Sequence, residues 1–199
     1  MNYISFSILS LSMVLSFTSA PALAHSQVPG QVTVSRATEL AAHRIERLVT
    51  LNRLDPLFLS NLQMLKAERV SEGDAIFKIS AFTEKDAANQ ASSIVLLSDK
   101  QGKVLSHTVG AVFQPVNPVA WPIKDAVTLF EDALHFVLDG WVQHPELKPY
   151  YLGLMTITLH AMVENGQLVA HFSVTSDDDP RTLHIKLKTD GTLISHEIK

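Results

Sequence analysis

The chain holds 199 residues, with 46% hydrophobic residues, a net charge of −4 and no cysteine. The negative balance argues against a nucleic-acid partner, which needs a basic footprint. The lack of cysteine removes disulfides, a thiolate nucleophile and a lipid-anchored cysteine from consideration.

Residues 1–24 predict a secretory signal peptide. Residues 4–17 are apolar, broken only by serine, and Ala22-Leu23-Ala24 supplies the small-x-small cleavage pattern. The apolar run is shorter than the roughly 18–20 residues a membrane span needs, and no later segment is apolar enough to cross a bilayer. The expectation is a periplasmic or secreted protein that begins at His25, without a membrane span. At that new terminus an α-amino group and an imidazole would sit together, a pair able to chelate copper.

Residues 34–49 carry apolar side chains at helical spacing, with Ser35 as the expected N-cap. Glu39 and His43 lie four apart and away from the apolar stripe, so they read as an ion pair on a solvated face. Residues 54–65 read as an irregular or helical connection. Strands follow at 66–70, 76–82, 93–98 and 103–109, the last entered through a turn at 99–102. Residues 114–122, QPVNPVAWP, hold three prolines and form a semi-rigid connector.

The second half repeats this order. Ile123, Ala126, Val127, Phe130, Leu134, Val137, Leu138 and Trp141 make one helical stripe, with Pro122 near the first turn and Gly140 near the end. Glu131 and His135 form another solvated i,i+4 pair. Strands are expected at 155–163, 168–174, 182–187 and 192–198. Asn165-Gly166 signals a type I′ hairpin and Asp190-Gly191 a second tight turn. Residues 175–180, with three aspartates in a row, read as a solvated loop.

The octamers GKVLSHTV (102–109) and GTLISHEI (191–198) nearly repeat. They read as the closing strands of a duplicated unit. The expected fold is α+β: two tandem units, 25–113 and 123–199, each one helix packed on a four-stranded antiparallel meander.

The turns into those closing strands, Asp99-Lys-Gln-Gly-Lys-Val-Leu105 and Asp190-Gly-Thr-Leu-Ile194, resemble the PepSY class of small extracytoplasmic domains. Val34-Ser-Arg-Ala-Thr-Glu39 and Asn52-Arg-Leu-Asp55 resemble short periplasmic proteins of unknown function. The resemblance implies a mostly non-catalytic domain, serving as a propeptide inhibitor of peptidases or as a sensory or interaction module.

No H-E-x-x-H, G-x-S-x-G or phosphate-cradling glycine loop occurs, and the acidic residues are scattered, so no enzyme is expected. The histidines are more informative. A two-residue turn at Asn165-Gly166 sets His160 opposite His171. Pairing Phe172 with Leu183 then sets His171 opposite His184, and the Asp190-Gly191 turn sets His184 opposite Glu197. These four would form one row across the sheet. Cross-strand spacing would let His160, His171 and His184 share a Zn²⁺ or Cu²⁺ ion, with Glu197 orienting His184. His107 and His196 recur in both octamers after a serine, and read as structural histidines where sheet meets helix.

Two functions are therefore expected from sequence. The first is a non-catalytic binding or regulatory module acting on another extracytoplasmic protein. The alternative is a transition-metal binder that uses the histidine row.

Overall fold

The computed structural model describes residues 30–153 and 155–199. The expected signal peptide and His25 lie outside the described residues. No helix among the described residues is long and apolar enough to cross a membrane.

The chain runs α1 (Val34–Thr50), α2 (Leu57–Ser60), β1 (Leu62–Glu72), β2 (Ala75–Lys85), β3 (Ala91–Ser98) and β4 (Val104–Val109). It continues through α3 (Ala126–Gly140), a 3-10 turn at Pro145–Leu147, α4 (Lys148–Leu152), β5 (Met155–Glu164), β6 (Gln167–Ser176), β7 (Asp179–Lys188) and β8 (Leu193–Ile198).

The expectation of two tandem units, each with its own four-stranded sheet, is corrected here. The eight strands form a single antiparallel sheet in the order β4-β3-β2-β1-β5-β6-β7-β8. Each half is a meander, and the first strands of the two halves pair with one another. That seam is short: Met64 faces Thr158, Leu65 faces Ile157 and Lys66 faces Thr156. Joining the halves turns two inner edges into paired strands and leaves only β4 and β8 as edges, which removes exposed ladder groups.

Among the described residues the helices cover one face only. α1 begins at Thr33, whose hydroxyl accepts from Arg36 N at 3.3 Å. Val34, Ala37, Ala41, Ile45 and Leu48 then recur on one buried stripe. Ser35, expected as the cap, lies inside the helix. Its Oγ lies 2.8 Å from Tyr150 O and 3.1 Å from Tyr151 O, and so ties α1 to α4 of the other half. Ser35→Ala is expected to cost about 1–2 kcal/mol in urea denaturation, because a buried carbonyl loses its donor; no change would mean that water replaces the bond.

α3 starts at its cap Asp125, whose Oδ1 accepts from Thr128 N at 2.9 Å. Ile123 lies before the helix and is 66% exposed, so the stripe is shorter than the sequence spacing suggests. Ala126, Leu129, Phe130, Ala133, Leu134 and Val137 are all buried. The proline-rich connector has no helix or strand and carries the chain from the β4 edge to the second half. It is pinned at Ser92, which bonds Phe113, and at its far end by Lys124 N to Thr189 O.

The turn chemistry explains the meanders. Asn165 and Gly166 have φ of 52° and 78°, the pair of left-handed residues that a type I′ turn needs. At the entry to β4, Asp99 Oδ1 accepts from Gln101 N and Lys103 N. Gly102 has φ +77°, and a Cβ there would lie 2.7 Å from Leu40 of α1. Glycine is thus needed both for the turn and for the approach of the helix.

Residues 175–180 are not an open loop. β6 and β7 close through a tight turn in which Ser176 faces Asp179. Asp179 is buried and held by Arg181, whose NH2 group lies 2.7 Å from its Oδ2. Pro180 cannot donate to the ladder, and β7 carries extra residues across this stretch before Leu183 pairs with Val174.

Candidate functional site

That irregularity moves the histidine row. Beyond it Phe172 faces Ile185 instead of Leu183, so the β6–β7 register is displaced by two residues. His160 faces His171, but His171 faces Lys186 and His184 faces Ser173. His184 and Glu197 lie opposite one another. A displacement of two keeps every side chain on its face. The row is therefore staggered, and the pairing of His171 with His184 is diagonal.

His171 Nε2 and His184 Nδ1 are 3.2 Å apart. The ring planes differ by 10° and the centroids are 5.2 Å apart, so the two imidazoles meet edge to edge through an N–H···N bond. His160 lies further away, with its ring centroid 6.4 Å from that of His171. Glu197 Oε1 accepts from Lys199 Nζ at 2.7 Å. Burial holds the His171 imidazole below the usual histidine range, and the neighbouring His184, Lys186 and His160 push it the same way. His184→Ala is expected to raise the His171 titration midpoint, followed by NMR of the ring protons; an unmoved midpoint would contradict the contact.

The row belongs to the face of the sheet that no helix among the described residues covers. Ser93, Phe82, Met64, Thr158, Ser173, His184 and Glu197 lie opposite one another in turn across seven strands, through the seam. Met64, Phe82, Val95 and Leu97 on this face are partly exposed. The bare side is thus one continuous surface of hydroxyls, imidazoles and partly exposed apolar groups, interrupted by the charged Lys66, Glu68, Lys78, Lys186 and Glu197.

The helix side holds two further clusters. Glu39 and His43 of α1 do not form a solvated pair of their own, nor do Glu131 and His135 of α3. The helices pack together and exchange partners: His43 Nδ1 is 2.8 Å from Glu131 Oε1, and His135 Nδ1 is 3.7 Å from Glu39 Oε1. Glu39 is only 5% exposed and also pairs with Arg36. Glu131 has its pKa pushed up to about 8, by burial first and then by Glu46, Asp125, Glu39 and Asp132. His43 Nδ1 reaches its shielded Oε1 without the geometry of an aligned hydrogen bond.

The other cluster involves His196. The structure separates the two repeated histidines. His107 faces Leu96 and is exposed on the edge strand. His196 faces Ile185 and packs between Phe136 of α3, at 5.1 Å, and His144, at 4.8 Å between ring centroids. His144 Nδ1 lies 3.4 Å from Glu146 Oε1. Two groups among the described residues bring three ligand atoms within 4.8 Å of one another: His144, Glu146 and His196, and also His43, Glu46 and Glu131. The sheet-face row is not one of them.

His144 and Glu146 were missed by sequence reasoning. Their signal was present: a His-x-Glu spacing just past a helix end, with His196 already assigned to the helix side.

No family model, curated protein or solved structure matches the chain. The resemblance to PepSY domains therefore rests on the two turn motifs alone.

Proposed function

We propose that the protein is a non-catalytic, extracytoplasmic binding module that docks another folded protein on the bare face of its sheet. The observation that supports this reading most is the layering: eight strands, with helices on one side only. With strands about 4.8 Å apart and about 3.3 Å per residue, this face spans on the order of 1,000 Å². A stable protein–protein interface needs about 800 Å² per partner. Two separate four-stranded sheets would each fall short.

The chemistry of the face agrees. Met64, Phe82, Val95 and Leu97 supply partly exposed apolar contacts, and Thr156, Thr158, Ser173 and His171 supply hydrogen-bonding groups without a fixed charge. Interface centres favour aromatic and methionine side chains, and the lysines and glutamates that share this face are held in ion pairs, Lys186 with Glu164 among them. Lys66, Glu68 and Lys78 form their own ion-pair group, which lowers the Glu68 pKa through its bond to Lys66.

Site-specific photo-cross-linking in the native extracytoplasmic compartment tests this reading. A cross-linking residue at Val95 or Thr158 is expected to trap one protein, and one at Arg47 or Lys148 on the helix side is not. Equal trapping from both sides, or none from the open face, would contradict it.

A further inference from the structure

We propose that His144, Glu146 and His196 form a binding site for a divalent transition-metal ion, with Zn²⁺ the best fit. The site lies on the helix side of the sheet, so it stands or falls apart from the docking face.

The distances suit an ion. Zn²⁺ bonds imidazole nitrogen at about 2.0–2.1 Å, and a tetrahedral ion therefore holds its ligand atoms about 3.4 Å apart. His144 Nδ1 and Glu146 Oε1 already have that separation, 3.4 Å. The three ligand atoms all lie within 4.8 Å of one another. Closing on an ion thus takes movement of about 1 Å at the ligand atoms. Two imidazoles with one carboxylate suit Zn²⁺ or Cu²⁺, whereas Ca²⁺ and Mg²⁺ require oxygen ligands. Three protein ligands leave a fourth position for water.

The backbone under the site is fixed. His144 N donates to Gly140 O at 2.8 Å, and Leu147 N donates to His144 O at 2.9 Å. Leu147 is fully buried, and Pro145 sets the turn between the two ligands. His196 comes from β8, an edge strand among the described residues, and Phe136 supports its ring. A bound ion would staple that edge strand to the segment that leaves α3.

The other half of the molecule provides an internal control. There, the segment after α1 lines an open hollow beside Val109 with Asn52, Arg53, Leu54, Asp55 and Pro56. It carries no histidine, and His107 is exposed without a matching imidazole. The same scaffold is built without the trio, so the trio is not a requirement of the fold.

Calorimetric titration of the untagged full chain with ZnCl₂ at pH 7.5 tests the site. Wild type is expected to bind one ion. His144→Ala and His196→Ala are each expected to weaken binding at least tenfold, while the His160→Ala/His171→Ala/His184→Ala variant keeps it. Ca²⁺ is expected not to compete. As a second readout, Zn²⁺ at a hundredfold excess over Kd is expected to raise the Tm of wild type by about 5 °C and that of His144→Ala not at all. His144→Ala without metal should melt as wild type does, which separates lost ligation from lost folding. No binding by wild type would overturn the proposal. So would binding that survives both single substitutions, or binding lost only in the triple variant.

Discussion

Replacing Phe172 with alanine is expected to destabilise the protein by about 3–5 kcal/mol, the range for truncating a buried aromatic residue. Phe172 is 0% exposed, sits mid-strand in β6 and faces Leu159 and Ile185. Its ring meets Phe130 of α3 edge to face, with centroids 5.2 Å apart and planes at 77°. The substitution thus removes the contact that seats α3 on the second half of the sheet and leaves a cavity beneath it. Whole domains are stable by only about 5–15 kcal/mol, so roughly a fifth or more of the total is at stake. Urea denaturation measures it, with Leu105→Ala on the exposed edge strand as a control expected to change little. A loss below about 1 kcal/mol for Phe172→Ala would mean that α3 does not pack there.

Glu131→Gln is expected to stabilise the protein at alkaline pH. The folded pKa of Glu131, about 8, is above its ordinary value of 4.5. The folded state therefore holds this proton more tightly than the unfolded chain does. Its contribution is complete below about pH 4.5 and is lost as pH rises through about 8. Above that, a carboxylate must sit between two helices beside Glu46, Asp125, Glu39 and Asp132. Glutamine keeps the shape and cannot ionise. Partial access to water reduces the effect to about 1–2 kcal/mol between pH 5 and pH 9. Urea midpoints of wild type and Glu131→Gln at pH 5, 7 and 9 measure it. Parallel pH profiles, or a variant less stable than wild type at pH 9, would show that the crossed pairs do not bury this acid.

The local features of the fold were legible because their causes are local. Alternation within each strand, the Asn165-Gly166 turn and the aspartate–glycine turns into β4 and β8 act over a few residues. So does the register of His160 with His171, which follows from one two-residue turn. The join between the halves was not legible. β1 and β5 pair over three residue pairs, and nothing in either strand marks the other as a neighbour. The irregularity at Pro180 was also hidden, because a proline inside an acidic stretch reads equally well as loop. It displaced the expected His171–His184 pairing by two residues.

The charged pairs on the helices show the same limit. Glu39 with His43 and Glu131 with His135 satisfy the i,i+4 rule within one helix, so sequence offers no reason to look further. Antiparallel packing of α1 and α3 lets each glutamate reach the other helix's histidine. The repetition of the motif was the clue, since two helices of like pattern packed antiparallel bring like positions together. The histidine–glutamate trio near His196 needed the same long-range information, because β8 and the end of α3 meet only in the folded chain.

Both the size of the bare face and its continuity depend on the β1–β5 seam, and native-state hydrogen exchange tests it most directly. If the halves share one sheet, the amides of Met64, Leu65, Lys66, Thr156, Ile157 and Thr158 should exchange only through global unfolding, as slowly as the middle of β2 and β6. Denaturant should then unfold the chain in one transition. Rapid exchange at these six positions, or two separate transitions, would mean two independent four-stranded units and no shared docking face.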